Sequence, residues 1–335
     1  MRILASGPSG PPEDLDPLRA AGHEVVIGRP LDTPGRSAYT EPELIAACQE
    51  MHVLLASHLE RVTPAVLDGA RDLRLVIVPF IGTDKIDLPA ASRAGVLVAN
   101  SPTPENFVAV AEATVGLVLM LQKRVKHNEA KLRSGRWAQR EDRGEVMFGK
   151  TVGLVGLGRV GSHVARRLLN WDVRLLAADP YVSAAHAAML NVTVTDLGTL
   201  LAESDVVSLH CALTAETRGL IGEKELRRMK PGALLVNTAR GEILDEDAVA
   251  RALDEGWIAG AALDAFVEEP LPPASPLRRV DPERLILTPH NVAHSDAGRR
   301  ANLALAMEQI IGAGRGEVPI HVVNPDAIPR WRRAP

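Results

Sequence analysis

The sequence predicts an α/β protein of two doubly wound, parallel-sheet domains, and three observations carry that expectation. The chain has 335 residues, 46% hydrophobic and 24% charged, more than a single hydrophobic core usually organises. Short β-branched runs alternate with helical patterns twice over, once within residues 1–100 and again from Thr151. A glycine-rich turn stands at the first strand-to-helix junction of the second alternation.

In the first alternation, residues 2–5, 24–27, 53–56, 73–78 and 96–99 read as strands. Residues 64–70 and 88–94 fit connecting helices, the second closed by Gly95, which can take the left-handed conformation that ends helices. From Glu105, the residues Ala109, Ala113, Leu117 and Leu121 recur on one helical face, and this segment is expected to bridge the domains. Residues 135–149, polar around Trp137, read as an excursion. The second alternation places strands at 151–155, 173–177, 192–194, 206–209, 233–237, 258–263 and 285–287. Beyond Pro289, residues 297–311 are helical in pattern and 317–323 read as a strand or an extended tail, a segment expected to return to the first domain. The expected domains are therefore 1–100 with 296–335, and 101–295.

Composition narrows the partner. A net charge of −4 without a long Lys/Arg run offers no electrostatic footprint for nucleic acid or an acidic membrane surface, so a small molecule is expected. The two cysteines, Cys48 and Cys211, stand apart with no CxxC or Cys/His cluster, which argues for free thiols and no metal site. No uninterrupted apolar run approaches membrane-spanning length, and no membrane span is expected. The opening MRILAS lacks the charged head and apolar stretch of a secretion leader, so the expected address is cytoplasmic.

The apolar run 152–155 leads into Gly156-Leu157-Gly158-Arg159-Val160-Gly161, a GxGxxG between a strand and a helix. Its glycines permit a tight turn and close approach of a diphosphate, whose charge meets the N–H groups of Arg159 and Val160 at the helix start. Asp179 lies 18 positions beyond Gly161, at the end of the next strand, where a carboxylate can accept both ribose hydroxyls. It repels a 2′-phosphate, and no arginine follows it, so NAD is favoured over NADP.

Further motifs follow in order: Gly82-Thr83-Asp84-Lys85-Ile86-Asp87, Val206-Val207-Ser208-Leu209-His210, Met229-Lys230-Pro231-Gly232-Ala233, Asn237-Thr238-Ala239-Arg240-Gly241, Gly260-Ala261-Ala262-Leu263-Asp264, Glu268-Glu269-Pro270 and Thr288-Pro289-His290. With the glycine turn they make the chain resemble the D-isomer-specific 2-hydroxyacid dehydrogenase family from about residue 55 to 325. The resemblance implies two Rossmann-like domains, a flavodoxin-like substrate domain and an NAD-binding domain, with substrate in the cleft. It implies hydride transfer between the nicotinamide and C2 of a D-2-hydroxy or 2-oxo acid. It assigns catalysis to Arg240, Glu269 and His290.

Those residue types suit the chemistry. Reduction of a 2-oxo acid leaves an alkoxide, which a protonated imidazole at His290 would quench. A carboxylate at Glu269 would stabilise the charged imidazole, and Arg240 supplies a permanent planar cation for the substrate carboxylate and carbonyl. The same resemblance places Asp264 beside the nicotinamide and Cys211, Thr238 and Ala239 along its ribose. Phe80, Ile81 and Gly82 form its backbone cradle for the substrate carboxylate, with Ser57 also at the substrate. His294 has two readings, one facing substrate and one opening a helix.

The chain also departs from particular relatives. Ser57 and Val78 stand where phosphoglycerate dehydrogenases resembling it place arginines, and Ile81 where phosphite dehydrogenases place a lysine. Glu269 replaces the glutamine of formate dehydrogenases, Ala212 the usual proline, and Phe80 a frequent glycine. Alternatives to the metabolic enzyme are an NAD(H)-responsive regulatory binding protein on the same fold and a phosphite- or phosphonate-related dehydrogenase. Homodimerisation through the NAD-binding domain and the helix from Glu105 is expected from the family.

Overall fold

The computed structural model describes residues 1–8, 10–30 and 37–331; positions 9, 31–36 and 332–335 of the expected first domain lie outside the described residues. The chain divides into one unit of Met1–Asn106 with Ser295–Pro335 and another of Phe107–His294, against junctions read from sequence at 100/101 and 295/296.

The first unit holds five parallel strands, β1 (Arg2–Ala5), β2 (Glu24–Ile27), β3 (Val53–Leu55), β4 (Leu75–Ile77) and β5 (Leu97–Ala99), in the order β2-β1-β3-β4-β5. Side chains alternate between two buried faces. Leu4, Leu54, Val76 and Val98 pack on one, and Ile3, Val53, Leu75 and Leu97 on the other. The helix Leu88–Ala94 ends at Gly95, whose φ of 70° is the left-handed conformation anticipated. Two short helices, Asp16–Ala20 and Glu41–Ala47, were not legible in the sequence. Of the two readings of 317–323, strand or extended tail, no strand forms; a single antiparallel bridge joins Ala99 to Val322. Gln309 explains why the segment stays irregular, because its side chain accepts from His321 N–H and donates to Asn100 O, taking hydrogen bonds a strand would need.

The second unit holds seven parallel strands, β6 (Thr151–Val155), β7 (Arg174–Ala178), β8 (Val192–Val194), β9 (Val206–Leu209), β10 (Leu234–Asn237), β11 (Gly260–Leu263) and β12 (Leu285–Leu287). Their order is β12-β11-β10-β9-β6-β7-β8, so the chain winds outward from β6 through β8, then returns to β9 and winds the other way. The reversal between β6 and β9 is where doubly wound sheets bind ligands, outside the carboxyl ends of their strands.

The helical pattern read from Glu105 is the helix Pro104–Gln122. Its 18-residue window has a mean hydropathy of 1.4, long and apolar enough by composition to cross a membrane, although Glu105 and Glu112 interrupt the apolar run sought in the sequence. Ala111, Leu117, Val118 and Leu121 bury against the second sheet, and Glu112 pairs with Arg167 at 2.8 Å. The excursion at 135–149 is anchored by buried Asp142, which accepts from Gln139 N–H at 2.6 Å, meets His127 Nε2 at 2.6 Å and pairs with Lys131.

Candidate active site

Strand register gathers the predicted residues of the second unit along one edge. Leu287, Leu263, Asn237, Leu209, Val155 and Ala178 pair as one row across β12, β11, β10, β9, β6 and β7. Just beyond that row lie His290, Asp264 and Glu269, Thr238 to Arg240, Cys211, the glycine turn and Asp179. Residues scattered over more than a hundred positions of chain thus reach the same carboxyl edge because parallel strands all end there.

At the switch point the glycine turn is tightly drawn. Gly156 has φ 96°, and a Cβ there would lie 2.7 Å from Cys211 N. A Cβ on Gly161 would lie 2.2 Å from Gly156 O, so the helix Arg159–Leu168 can approach the strand this closely only without a side chain. Gly158 differs: nothing stands within 4 Å of where its Cβ would be, and as N-cap it contributes no side-chain hydrogen bond to the helix. An open backbone position at the N-terminus of a ten-residue helix suits a diphosphate, with Arg159 and Val160 offering their N–H groups.

Asp179 ties this turn to β7. Its Oδ2 accepts from Leu157 N–H at 2.7 Å and its Oδ1 from Tyr181 N–H at 2.9 Å. Behind the turn, burial pushes the pKa of His210 down to about 3, leaving a neutral imidazole whose Nε2 lies 2.9 Å from Ser208 Oγ. Burial raises the pKa of the neighbouring Cys211 thiol, which keeps it protonated rather than nucleophilic. Burial pushes the Cys48 thiol, in the other unit, up to about 12.

Three adjacent strands deliver the three residues assigned to catalysis. Arg240 follows β10, where Asn237 shapes the turn by donating to Arg240 O at 2.8 Å and accepting from Ala239 N–H at 3.0 Å. The Arg240 guanidinium donates to Ala239 O, and Thr238 Oγ1 lies 2.9 Å from Thr114 Oγ1. Glu269 follows β11 in a turn where its Oε1 accepts from Phe266 N–H at 3.1 Å. His290 follows β12 in a left-handed conformation, φ 51°, and its Nδ1 lies 2.8 and 3.0 Å from the two oxygens of Glu269. The other ring nitrogen, Nε2, is thereby left for a reacting oxygen. Buried Asp264 accepts from Thr288 Oγ1 and Asn291 N–H, on either side of His290. His294 sits in a turn, its N–H bonded to Asn291 O at 2.9 Å.

The remaining predicted residues belong to the first unit. Ser57 follows β3 and is buried, its N–H and hydroxyl both directed to Glu60. The Phe80–Gly82 turn follows β4, pinned by Asn100 Nδ2 on Ile81 O at 2.7 Å and Ser101 N–H on Phe80 O at 2.9 Å. Sequence reasoning missed Glu60, Asn237, Thr288 and Asn291 as supporting residues; Asn237 and Thr288 stood inside quoted motifs, whereas nothing marked Glu60. Among the described residues no group of three His, Cys, Asp or Glu side chains is arranged to hold a metal.

Comparison with known proteins places these features in a family. Residues 115–292 match the family described as D-isomer specific 2-hydroxyacid dehydrogenase, NAD binding domain. The chain is 38% identical over 310 residues to a glyoxylate reductase of Thermofilum pendens, covering 91% of this chain and 89% of that protein. It is 37% identical over 324 residues to a D-3-phosphoglycerate dehydrogenase of Mycobacterium tuberculosis, covering 93% of this chain but 58% of that longer relative. Among solved structures, the TT0316 protein of Thermus thermophilus is similar at a TM-score of 0.85 and 33% identity, covering 96% of this chain and all (100%) of that one. D-lactate dehydrogenase from Escherichia coli is similar at 0.79 and 26%, with coverage of 96% and 100%.

Proposed function

The chain belongs to the D-isomer-specific 2-hydroxyacid dehydrogenase family and is an NAD-dependent oxidoreductase, and from that premise we propose that it interconverts a short 2-oxo acid and the corresponding D-2-hydroxy acid. The observation that carries the proposal is the common edge on which the glycine turn, Arg240 and the His290–Glu269 pair lie. NAD(H), when bound, supplies or accepts the hydride.

The residues divide the remaining work. Gly156, Gly158, Arg159, Val160 and Gly161 hold the diphosphate by backbone groups, and Asp179 accepts from the adenosine ribose. Cys211, Thr238, Ala239 and Asp264 line the nicotinamide half. Arg240 binds the substrate carboxylate and polarises the C2 carbonyl. In reduction, His290 donates a proton from Nε2 to the substrate oxygen while Nδ1–H stays directed at Glu269; oxidation reverses the transfer. In the first unit, Ser57 and the backbone of Ile81 and Gly82 are assigned to the substrate. The proposed cofactor domain is 101–295 and the proposed substrate domain 1–100 with 296–335.

Homodimerisation through the cofactor domain is part of the proposal, supported by exposed Leu132, Trp137, Val146 and Phe148. The proposed setting is cytoplasmic, with a small acid as the partner. Near full-length similarity to a glyoxylate reductase puts glyoxylate first in a substrate panel. The test is NADH consumption with glyoxylate, hydroxypyruvate, pyruvate, phenylpyruvate and phosphonate-bearing oxo acids. Turnover of at least one 2-oxo acid is expected; none with any would overturn the proposal.

A further inference from the structure

We infer that Glu246 is a positioning residue for the acid–base pair, fixing through one backbone hydrogen bond the turn that presents Glu269 to His290. The inference rests on the proposed function, since it deepens the account of that same site.

Glu246 opens the helix Glu246–Asp254, which Asp245 caps by accepting from Ala248 N–H. Glu246 stands on a rigid element; burial raises its pKa and the charges of Asp247, Glu242 and Glu269 add to that, while the bond it accepts from Val267 N–H opposes the rise. Its Oε1 accepts from Val267 N–H at 2.7 Å. The preceding amide, Phe266 N–H, donates to Glu269 Oε1 at 3.1 Å, and Glu269 meets His290 Nδ1 at 2.8 Å. Consecutive amides of one turn are therefore held by two carboxylates, one within the turn and one from another element.

The turn has a second fixed boundary. A Cβ on Gly241 would lie 1.9 Å from Phe266 C and 2.3 Å from Val267 N, so the backbone beyond Arg240 presses directly on the same two residues. Gly241 blocks movement toward β10, and Glu246 opposes movement away from its helix. Removing the Glu246 bond takes away the hold that the helix has on Val267 and so loosens the turn that sets where Glu269 stands relative to His290. Misplacement of an acid–base group by about 1 Å can cost on the order of a hundredfold in rate.

The test uses the full chain, NADH and the best 2-oxo acid of the panel. Glu246→Ala is expected to lower kcat roughly tenfold or more, with the KM for NADH within about twofold of wild type. Glu246→Gln retains an oxygen that accepts from Val267 N–H and is expected to keep kcat within about threefold. In a Glu269→Ala background, Glu246→Ala is expected to cost less than about twofold, because its route to His290 is already gone. Equal losses in both backgrounds, or an alanine variant with wild-type kcat, would overturn the inference. So would a glutamine variant as impaired as alanine.

Amide hydrogen exchange reads the same bond without turnover. Exchange at Val267 is expected to accelerate at least about tenfold in Glu246→Ala and to stay near wild type in Glu246→Gln. Unchanged exchange overturns the inference. Accelerated exchange in a protein that reduces no 2-oxo acid would overturn the proposed function while retaining the hold of Glu246 on the turn.

Discussion

Asp264 Oδ1 accepts the backbone N–H of Asn291 at 3.1 Å, and that same oxygen accepts the Thr288 hydroxyl at 2.7 Å. The bonds flank His290, whose backbone is left-handed, a conformation uncommon outside glycine. A buried carboxylate just beyond β11 therefore braces the segment that carries the imidazole delivered by β12.

Removing that carboxylate should loosen His290 without deleting it. Asp264→Ala is expected to lower kcat at least about tenfold, with Thr288→Val, which removes one of the two bonds, costing less. Steady-state kinetics on both variants checks the order; a greater loss in Thr288→Val would contradict the arrangement.

His290→Ala removes the proton donor itself. Turnover is expected to fall at least about a hundredfold while NADH affinity, read by fluorescence titration, stays near wild type. Unchanged turnover would refute the acid–base role.

The glycines of the turn should separate packing from cofactor binding. Gly161→Ala forces a Cβ to 2.2 Å from Gly156 O and is expected to lower both Tm and NADH affinity. Gly158→Ala meets no protein atom within 4 Å, so Tm should stay within about 1 °C while NADH affinity drops at least about tenfold. Calorimetry paired with titration distinguishes the two.

The His127–Asp142 pair predicts a pH dependence of stability. Asp142 first, then Glu283, raise the pKa of His127 above its ordinary 6.5, so its contribution is full below 6.5 and disappears as pH rises through the raised value. His127 first, then Lys131, hold Asp142 well below its ordinary 3.8, so its contribution is present above 3.8 and is lost as pH falls through the depressed value. Tm should therefore plateau between these limits. His127→Gln is expected to lower the plateau and flatten the alkaline decline in a melting series from about pH 4 to about pH 9. An unaltered alkaline limb would exclude His127 as its source.

Much of this architecture was legible because buried parallel strands are written as short continuous apolar runs, and because Gly156, Gly158 and Gly161 occupy a spacing that one turn requires. The short helices at Asp16 and Glu41 escaped notice. Each has a proline in its first turn, where proline is tolerated but reads as a break, and too few residues for a periodic pattern. Arg240, Glu269 and His290 were found by motif, whereas their common edge depends on strand order, which no local pattern encodes. Glu246 was invisible for a simpler reason. It is one of four acids in the stretch Glu242, Asp245, Glu246 and Asp247, and only a specific hydrogen bond distinguishes it.

The strand that delivers His290 is three residues long and outermost, laddered to one neighbour, while β6 beneath the glycine turn is flanked on both sides. Outermost strands fray more cheaply than central ones. Warming should therefore silence proton transfer while the dinucleotide is still retained. Inactivation would precede the collapse of circular dichroism by several degrees and reverse on cooling.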